Sequence, residues 1–222
     1  MLVIKGLKDY SIVSLFKDYN KQPQPSDEWQ AIGAWAWGSS RILDYLEQQE
    51  DTGKTILMGH SRQGKAALWA GAQDPRFTIV ISNDSGSGGA ALSRREYGET
   101  IKIVSGIKPP WFAPALNKYH DNEKNMPFDQ HELIALMAPR PVYVASAEED
   151  RWADPKGEFL SAYHASPVYE LYGLKGISSD RMPQTEQPVV NSHVGYHIRK
   201  GIHDVTRYDW TQFMNFADFH FK

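Results

Sequence analysis

The chain has 222 residues, a formal net charge of −3 and no cysteine. This near-neutral balance, without a polybasic run, argues against a protein that binds nucleic acid or a charged membrane surface. The lack of cysteine excludes disulfides, thiolate metal sites and cysteine catalysis, and no apolar stretch approaches the roughly 18 residues of a membrane span. The length is typical of a single globular domain, here taken as residues 1–222.

The N-terminal part of the sequence predicts little regular structure before one long helix. Residues 1–25 are mostly polar and contain prolines, so we expect an irregular lead-in, and the apolar stretch at its start is too short for a signal peptide. Apolar side chains then recur at helical spacing from Trp29 to about Gln48. Asp27 with Gln30 offers a capping box at the start of this helix.

The most informative stretch resembles a nucleophile elbow around Ser61. The apolar run Thr55–Met58 leads into Gly59, and a helical pattern leads out from Lys65. A serine at such a junction has strained backbone dihedrals, exposes its hydroxyl and lies at the positive end of a helix. The usual pattern is G-x-S-x-G, whereas the second glycine here, Gly64, comes one position late. Glycine-rich strand-to-helix turns are also plain structural joints, so this motif alone leaves both interpretations open.

Further apolar runs predict the rest of a sheet. Phe77–Ser82 and Pro141–Ser146 are typical of buried strands, Val168–Leu171 of a short strand, and His193–Ile198 of a last one. The amphipathic segment Tyr208–Phe219 predicts a closing helix. Because the runs alternate with helices, the sequence predicts an α/β-hydrolase-type three-layer sandwich with a mainly parallel sheet.

Candidate catalytic residues follow the predicted strands in the order serine, acid, histidine. Ser61 follows the first of these strands, Asp84 and Asp150 follow later ones, and His203 follows the last. An acyl-transfer serine needs a base, and the base needs an acid to orient it. We therefore expect Ser61 and His203 to lie within or near hydrogen-bond reach. Either aspartate fits as the acid, although Asp84 also suits a turn cap and Asp150 a solvated acidic loop.

Several motifs together resemble the glucuronoyl esterases of carbohydrate esterase family 15, and are closest to its bacterial branch. The resemblance runs from about Trp29 to the C-terminus, and the late second glycine of the elbow is typical of that family. The motifs are Gly59-x-Ser61-Arg62-x-Gly64-Lys65, the run from Asp84 to Ala91, Ala138-Pro139-Arg140, Asp150-Arg151-Trp152 and Gly201-Ile202-His203-Asp204.

The resemblance implies a role for each matching site residue. Ser61 would be the nucleophile and His203 the base and then the acid, with Asp150 or Asp84 orienting the imidazole. Arg62 would stabilise the developing oxyanion. The family often has glutamate where Asp84 stands, which favours Asp150 by a modest margin. The residues implied in substrate binding are Lys65 and Glu99, at the sugar hydroxyls, and Trp152, over the sugar ring.

The resemblance also implies partners and a compartment. The substrate would be a 4-O-methyl-glucuronoyl ester that links glucuronoxylan to lignin alcohols, cleaved without metal or cofactor, and the enzyme would be secreted or periplasmic. An elbow as early as position 59 leaves little room before it, so we expect early N-terminal strands to be missing. An uncovered sheet edge would then favour self-association.

Two other functions remain open at this stage. An acetylxylan esterase or another plant cell-wall ester hydrolase would use the same triad with a small acyl pocket, against which Arg62 and Lys65 argue. A truncated, non-catalytic protein that binds glucuronoxylan would retain the fold without turnover. A metal-dependent deacetylase is disfavoured, because no H-x-x-E-H or similar ligand spacing occurs.

Overall fold

The structure is a computed structural model that describes residues 2–3, 25–50, 52–107 and 110–222. The strands and α-helices in these ranges are β1 (Leu2–Val3), α1 (Ala31–Leu46), β2 (Ile56–His60), α2 (Arg62–Gln73), β3 (Ile79–Asn83), α3 (Ile101–Ser105), α4 (Gln130–Ala135), β4 (Val142–Ala147), α5 (Pro155–Glu170), β5 (Val194–Arg199) and α6 (Arg207–Phe221). Short 3-10 helices lie between α2 and α4. The irregular lead-in predicted for residues 1–25 falls almost wholly outside the described ranges.

All five strands form one parallel sheet in the order in which they occur along the chain. In the centre of the sheet Ile81 pairs with Met58 on one side and with Tyr143 on the other. Helices α1, α2, α4 and α5 pack on one face of the sheet, as crossovers of a single hand between successive parallel strands require. The helix that follows the last strand, α6, covers the other face. The predicted three-layer α/β architecture with a mainly parallel sheet is confirmed.

Alternate residues of each strand supply two separate apolar layers. Leu57, Val80 and Val144 pack against the connecting helices, while Met58 and Ile81 pack under α6. Strands buried on both faces explain why the sequence shows continuous apolar runs rather than polar–apolar alternation. Each large side chain that is fully removed from water in these layers contributes about 1.5–3 kcal/mol to folding.

The strand predicted at Val168–Leu171 is wrong, because residues 168–170 are the last turn of α5. Pro167 and the β-branched and aromatic residues after it favour an extended segment locally. In the fold Tyr169 is buried against the helix layer and its hydroxyl donates to Arg140 O at 2.9 Å. Tertiary packing therefore extends the helix past a proline that would end an isolated one.

The predictions for the first helix, α1, and the last helix, α6, had different outcomes. The capping box expected from Asp27 and Gln30 is wrong, since α1 begins at Ala31 and its N-cap residue makes no side-chain capping bond. The closing helix is confirmed, and it carries a capping box of Thr206 with Asp209 that the sequence analysis did not identify. None of the described helices is long and apolar enough to cross a membrane.

Candidate active site

The predicted catalytic residues gather at the carboxyl edge of the sheet. Ser61 directly follows β2 and Asp84 directly follows β3, while Asp150 and His203 come a few residues after β4 and β5. Parallel strands end at the same edge, and clefts for small molecules form there. A cavity of about 490 Å³ opens at this edge. Its lining includes Ser61, Lys65, Asp84, Glu99, Asp150, Trp152 and His203.

Arg62 is not among the described residues that line this cavity, although it directly follows Ser61, which is. It is the first residue of α2 and is half-buried. All other residues that the sequence assigned to the site are thus brought together in one cavity, and Arg62 is adjacent in sequence to one of them.

The elbow at Ser61 is strained in the way a nucleophile requires. Ser61 has φ 58° and ψ −131°, in a region that L-residues rarely adopt, and its N–H donates to Asn83 O at 2.9 Å. A Cβ at position 59 would lie 2.0 Å from Gln63 O, and one at position 64 would lie 2.8 Å from Ser85 Cβ. Gly59 is therefore required by close backbone approach, and Gly64 by the close approach of the Ser85 side chain. The second one comes late because the first turn of α2 meets Ser85 at that point.

His203 is held by Asp150. Its Nδ1 lies 2.5 Å from Asp150 Oδ2, and the Asp150 side chain is 5% exposed while that of His203 is 42% exposed. A carboxylate that accepts from Nδ1–H fixes the neutral tautomer in which Nε2 is the free acceptor. In the described part of the chain no hydrogen bond joins Ser61 Oγ to the His203 ring, so their close approach stays a prediction. Such contacts often tighten only when substrate binds.

Asp84 occupies a different environment from Asp150. It is buried with φ 46°, and its Oδ2 lies 3.5 Å from Arg199 Nη2. Burial raises the pKa of Asp84 well above its ordinary value, Glu158 and Asp150 add to the rise, and Arg199 opposes it. One ligand atom from each of Asp84, Asp150 and His203 lies within 4.8 Å of the others. This cluster also has the spacing of a metal site, which no sequence motif had indicated.

Lys65 and Glu99 form a buried ion pair in the cavity wall. Lys65 Nζ donates to Ser85 O at 2.6 Å, to Ser87 O at 2.5 Å and to Glu99 Oε2 at 2.6 Å. An ammonium has three donors, so all of them are used. Burial lowers the pKa of Lys65, although Glu99 opposes this. A direct contact of Lys65 with sugar stays a prediction, and it would require Nζ to release one of these acceptors.

Trp152 lies at the mouth of the cavity. It is 57% exposed, so it is not a core tryptophan. An exposed indole beside polar groups is a suitable platform for a sugar ring.

His60 was missed as part of the site because it lies inside the elbow motif. Its Nδ1 lies 2.7 Å from Asn83 Oδ1, and its ring centroid is 4.4 Å from that of His203. Burial lowers the pKa of His60, with the Asn83 bond opposing. The His60 ring therefore packs beside the candidate base, and its lowered pKa disfavours a second positive charge there.

Glu158 was also missed, and it supports the loop that carries Asp84. The fully buried Glu158 carboxylate accepts from Ser85 N at 2.7 Å, from Gly86 N at 3.1 Å and from Ser146 Oγ at 2.7 Å. Burial raises the pKa of Glu158 from 4.5 to about 7, and its hydrogen bonds oppose the rise. The only sequence signal was an acidic residue on the buried face of α5.

We expect Glu158 to make stability depend on pH. Between its unfolded value near 4.5 and its folded value of about 7 the folded protein keeps a proton that the unfolded chain releases. The contribution is therefore complete at low pH and is lost as the pH rises through about 7, by up to about 3 kcal/mol. Glu158→Gln, whose amide suits the same partners, should lack this loss. Denaturant unfolding at about pH 5 and about pH 8 measures it.

Glu170→Gln, at an exposed position on the same helix, is the matched control. It should follow the wild-type pH dependence. If Glu158→Gln follows it as well, the pKa of Glu158 is not raised in the folded protein.

A family model described as glucuronyl esterase, fungi, matches residues 18–173 of the chain. A carbohydrate esterase from an unknown prokaryotic organism is 49% identical over 207 residues, which cover 91% of this chain and 48% of that protein. A 4-O-methyl-glucuronoyl methylesterase from Wolfiporia cocos is 36% identical over 155 residues, which cover 65% of this chain and 38% of that protein.

The solved structures that match this chain are also esterases of this kind. A glucuronoyl esterase from Solibacter usitatus superposes with a TM-score of 0.87 at 53% identity, and the match covers 96% of this chain and 55% of that one. A promiscuous CE15 esterase from a marine bacterial metagenome has a TM-score of 0.86 at 45% identity, with 96% and 54% covered. The chain thus spans about half the length of these relatives, or less.

Proposed function

Because the chain belongs to the glucuronoyl esterase family, carbohydrate esterase family 15, we propose that it hydrolyses esters of 4-O-methyl-glucuronic acid through an acyl-enzyme on Ser61. One observation carries the proposal. A serine on a strained strand-to-helix turn shares a cavity with an imidazole that a buried carboxylate holds at 2.5 Å. Those are the parts that acyl transfer by a serine requires.

In the proposed reaction Ser61 Oγ attacks the ester carbonyl carbon while His203 Nε2 takes the hydroxyl proton. The tetrahedral intermediate then breaks the bond to the alcohol, which leaves with that proton. Water, deprotonated by the same nitrogen, releases the uronate and restores Ser61. Asp150 stabilises the imidazolium formed in both halves. The N–H of Arg62, the residue after the nucleophile, and its guanidinium are the proposed donors to the oxyanion.

The polar wall of the cavity supports a uronate as the acyl group. Glu99 keeps one carboxylate oxygen for sugar hydroxyls, because Lys65 binds the other at 2.6 Å. Trp152, which is exposed in the same lining, would cover the ring from the solvent side. A volume of about 490 Å³ exceeds what an acetyl group needs and is within the usual range of small-molecule sites. These features favour a glucuronoyl ester over an acetyl ester.

The polymer, the leaving alcohol and the compartment belong to the same proposal. We propose glucuronoxylan esterified to lignin alcohols as the natural substrate, which places the reaction outside the cell. Self-association through a sheet edge is a further proposal, motivated by the two-residue strand β1 at one edge of the sheet.

The test compares a benzyl ester of 4-O-methyl-glucuronic acid with acetylated xylan as substrates of the same protein. We expect turnover of the glucuronate ester, little turnover of the acetyl ester, and no effect of EDTA on either. Preference for acetylated xylan would support an acetylxylan esterase instead. Binding of glucuronoxylan without turnover would support a non-catalytic protein. Inhibition by EDTA would assign the Asp84, Asp150 and His203 cluster to a metal.

A further inference from the structure

Arg199, the last residue of β5, is a buried cation that the proposed reaction does not use. Its side chain is 3% exposed. The guanidinium Nε donates to Asp209 Oδ2 at 2.7 Å, which joins β5 to α6 through a buried ion pair. A buried arginine normally spends its remaining donors on partners with good geometry, since unpaired donors are costly. The acceptors of the remaining Arg199 donors therefore show which part of the protein this side chain holds in place.

Those donors point at the loop that carries His203. Nη1 donates to Lys200 O at 2.9 Å, while Nη2 donates to Ile202 O at 3.0 Å and to Asp204 O. Three alternate carbonyls of residues 200–204 therefore converge on one guanidinium. The described part of the chain offers no other hydrogen-bond donor to the carbonyls of Ile202 and Asp204. Those two residues flank the candidate base on both sides.

The Nε side of the guanidinium is fixed through Asp209, which also binds other parts of the fold. Asp209 Oδ1 lies 2.9 Å from His197 Nε2, and Asp209 Oδ2 also accepts from Thr206 N at 2.6 Å as part of the capping box of α6. The guanidinium is thereby held relative to the sheet and to α6 at once. Its Nη2 also lies 3.5 Å from Asp84 Oδ2 at the neighbouring strand end.

From this geometry we infer that Arg199 is a positioning residue for His203. It fixes the carbonyls before and after the histidine, so the imidazole meets Asp150 on one side and the cavity on the other. The inference rests on the proposed esterase function of the site. Arg199 is not among the described residues that line the cavity, so its loss should lower kcat with little change in KM. A displacement of about 1 Å at a catalytic group costs about 10²-fold in rate.

Arg199→Lys is the primary variant. It keeps a positive charge beside Asp84 and Asp209, whereas Arg199→Met would leave two buried carboxylates without a cation and endanger folding. One ammonium cannot replace a planar fork that serves Asp209 and three carbonyls together. We expect a folded protein in which kcat falls about 10²-fold and KM stays within about twofold.

Arg140→Lys is the matched control. Arg140 is a half-buried arginine just before β4, at the amino ends of the strands and away from the cavity. It donates to the carbonyls of Phe77 at 2.9 Å and Gly71 at 2.6 Å. It tests what loss of an arginine–carbonyl cluster does to stability alone. We expect it to lower the melting temperature about as much as Arg199→Lys, with kcat unchanged.

A proton NMR spectrum gives a readout that does not depend on turnover. The His203 proton shared with Asp150 at 2.5 Å should resonate far downfield in the wild type and in Arg140→Lys. In Arg199→Lys it should shift or disappear. If Arg199→Lys changes the downfield resonance but the wild type has no esterase activity, the positioning role is supported and only the proposed function is refuted.

Three results would overturn the inference. The first is a folded Arg199→Lys with wild-type kcat and an unchanged downfield resonance. The second is a rise in KM alone, which would make Arg199 a substrate-binding residue. The third is a loss of kcat that Arg140→Lys reproduces, which would make the effect one of general stability.

Discussion

Replacing Ser61 with alanine is expected to lower kcat for a glucuronate ester by about 10⁶-fold, with KM nearly unchanged. The reason is that the only other hydroxyl in the described cavity lining is that of Ser85, which lies on a different loop and whose Oγ already accepts from Ser82 Oγ and Ala90 N. Initial-rate kinetics on the purified variant measure the effect.

The controls separate catalysis from backbone strain. Ser192→Ala removes a buried serine hydroxyl near the opposite ends of the strands and should leave kcat unchanged. Ser61→Gly should be as inactive as Ser61→Ala but more stable, by about 1 kcal/mol or more, because glycine adopts the φ of 58° without strain. Retention of a tenth of the activity in Ser61→Ala would contradict a serine acyl-enzyme.

Asp150→Asn is expected to lower kcat by about 10⁴-fold. An asparagine that offers its amide oxygen to Nδ1 keeps the geometry but loses the charge that stabilises the imidazolium, and an asparagine that offers its NH₂ group imposes the wrong tautomer. Asp84→Asn is the matched isosteric change in the same cavity. Since burial already disfavours the ionised form of Asp84, its loss should cost less than about tenfold.

The two variants decide between the aspartates when both are assayed on the same ester. If Asp84→Asn is inactive and Asp150→Asn remains active, Asp84 orients His203 in the working enzyme and the contact at 2.5 Å is not the productive one. Circular dichroism of both variants is needed beside the kinetics, because Asp84 also neighbours Arg199 and the loop held by Glu158.

The elbow could be predicted from the sequence because its causes are local. Gly59 is required by its own turn, where an added Cβ would lie 2.0 Å from Gln63 O. The second glycine departs from the commoner spacing for a reason that lies outside the motif, namely the approach of Ser85. The sequence therefore predicted the turn but not the contact that shifts it.

The sequence favoured Asp150 as the acid by only a modest margin, because Asp84 and Asp150 both follow buried strands. In the fold β4 lies beside β5, so the loop with Asp150 meets the loop with His203, whereas Asp84 faces Arg199. Lys65 is similar: its position near the elbow was predicted, but its three protein acceptors come from residues 20 to 34 positions away.

By itself the sequence determined the parallel α/β architecture, the elbow at Ser61 and the order of the candidate catalytic residues. These features depend on residues close together in the chain. Apolar runs define the strands, a glycine allows the tight turn, and the position of a residue just after a strand puts it at the strand end. Only the tertiary structure decided that residues 168–170 are helical, which carboxylate holds His203, and that Glu158 and Arg199 support the site. Each of these depends on burial and pairing between segments far apart in the chain, where the energy of packing outweighs local preference.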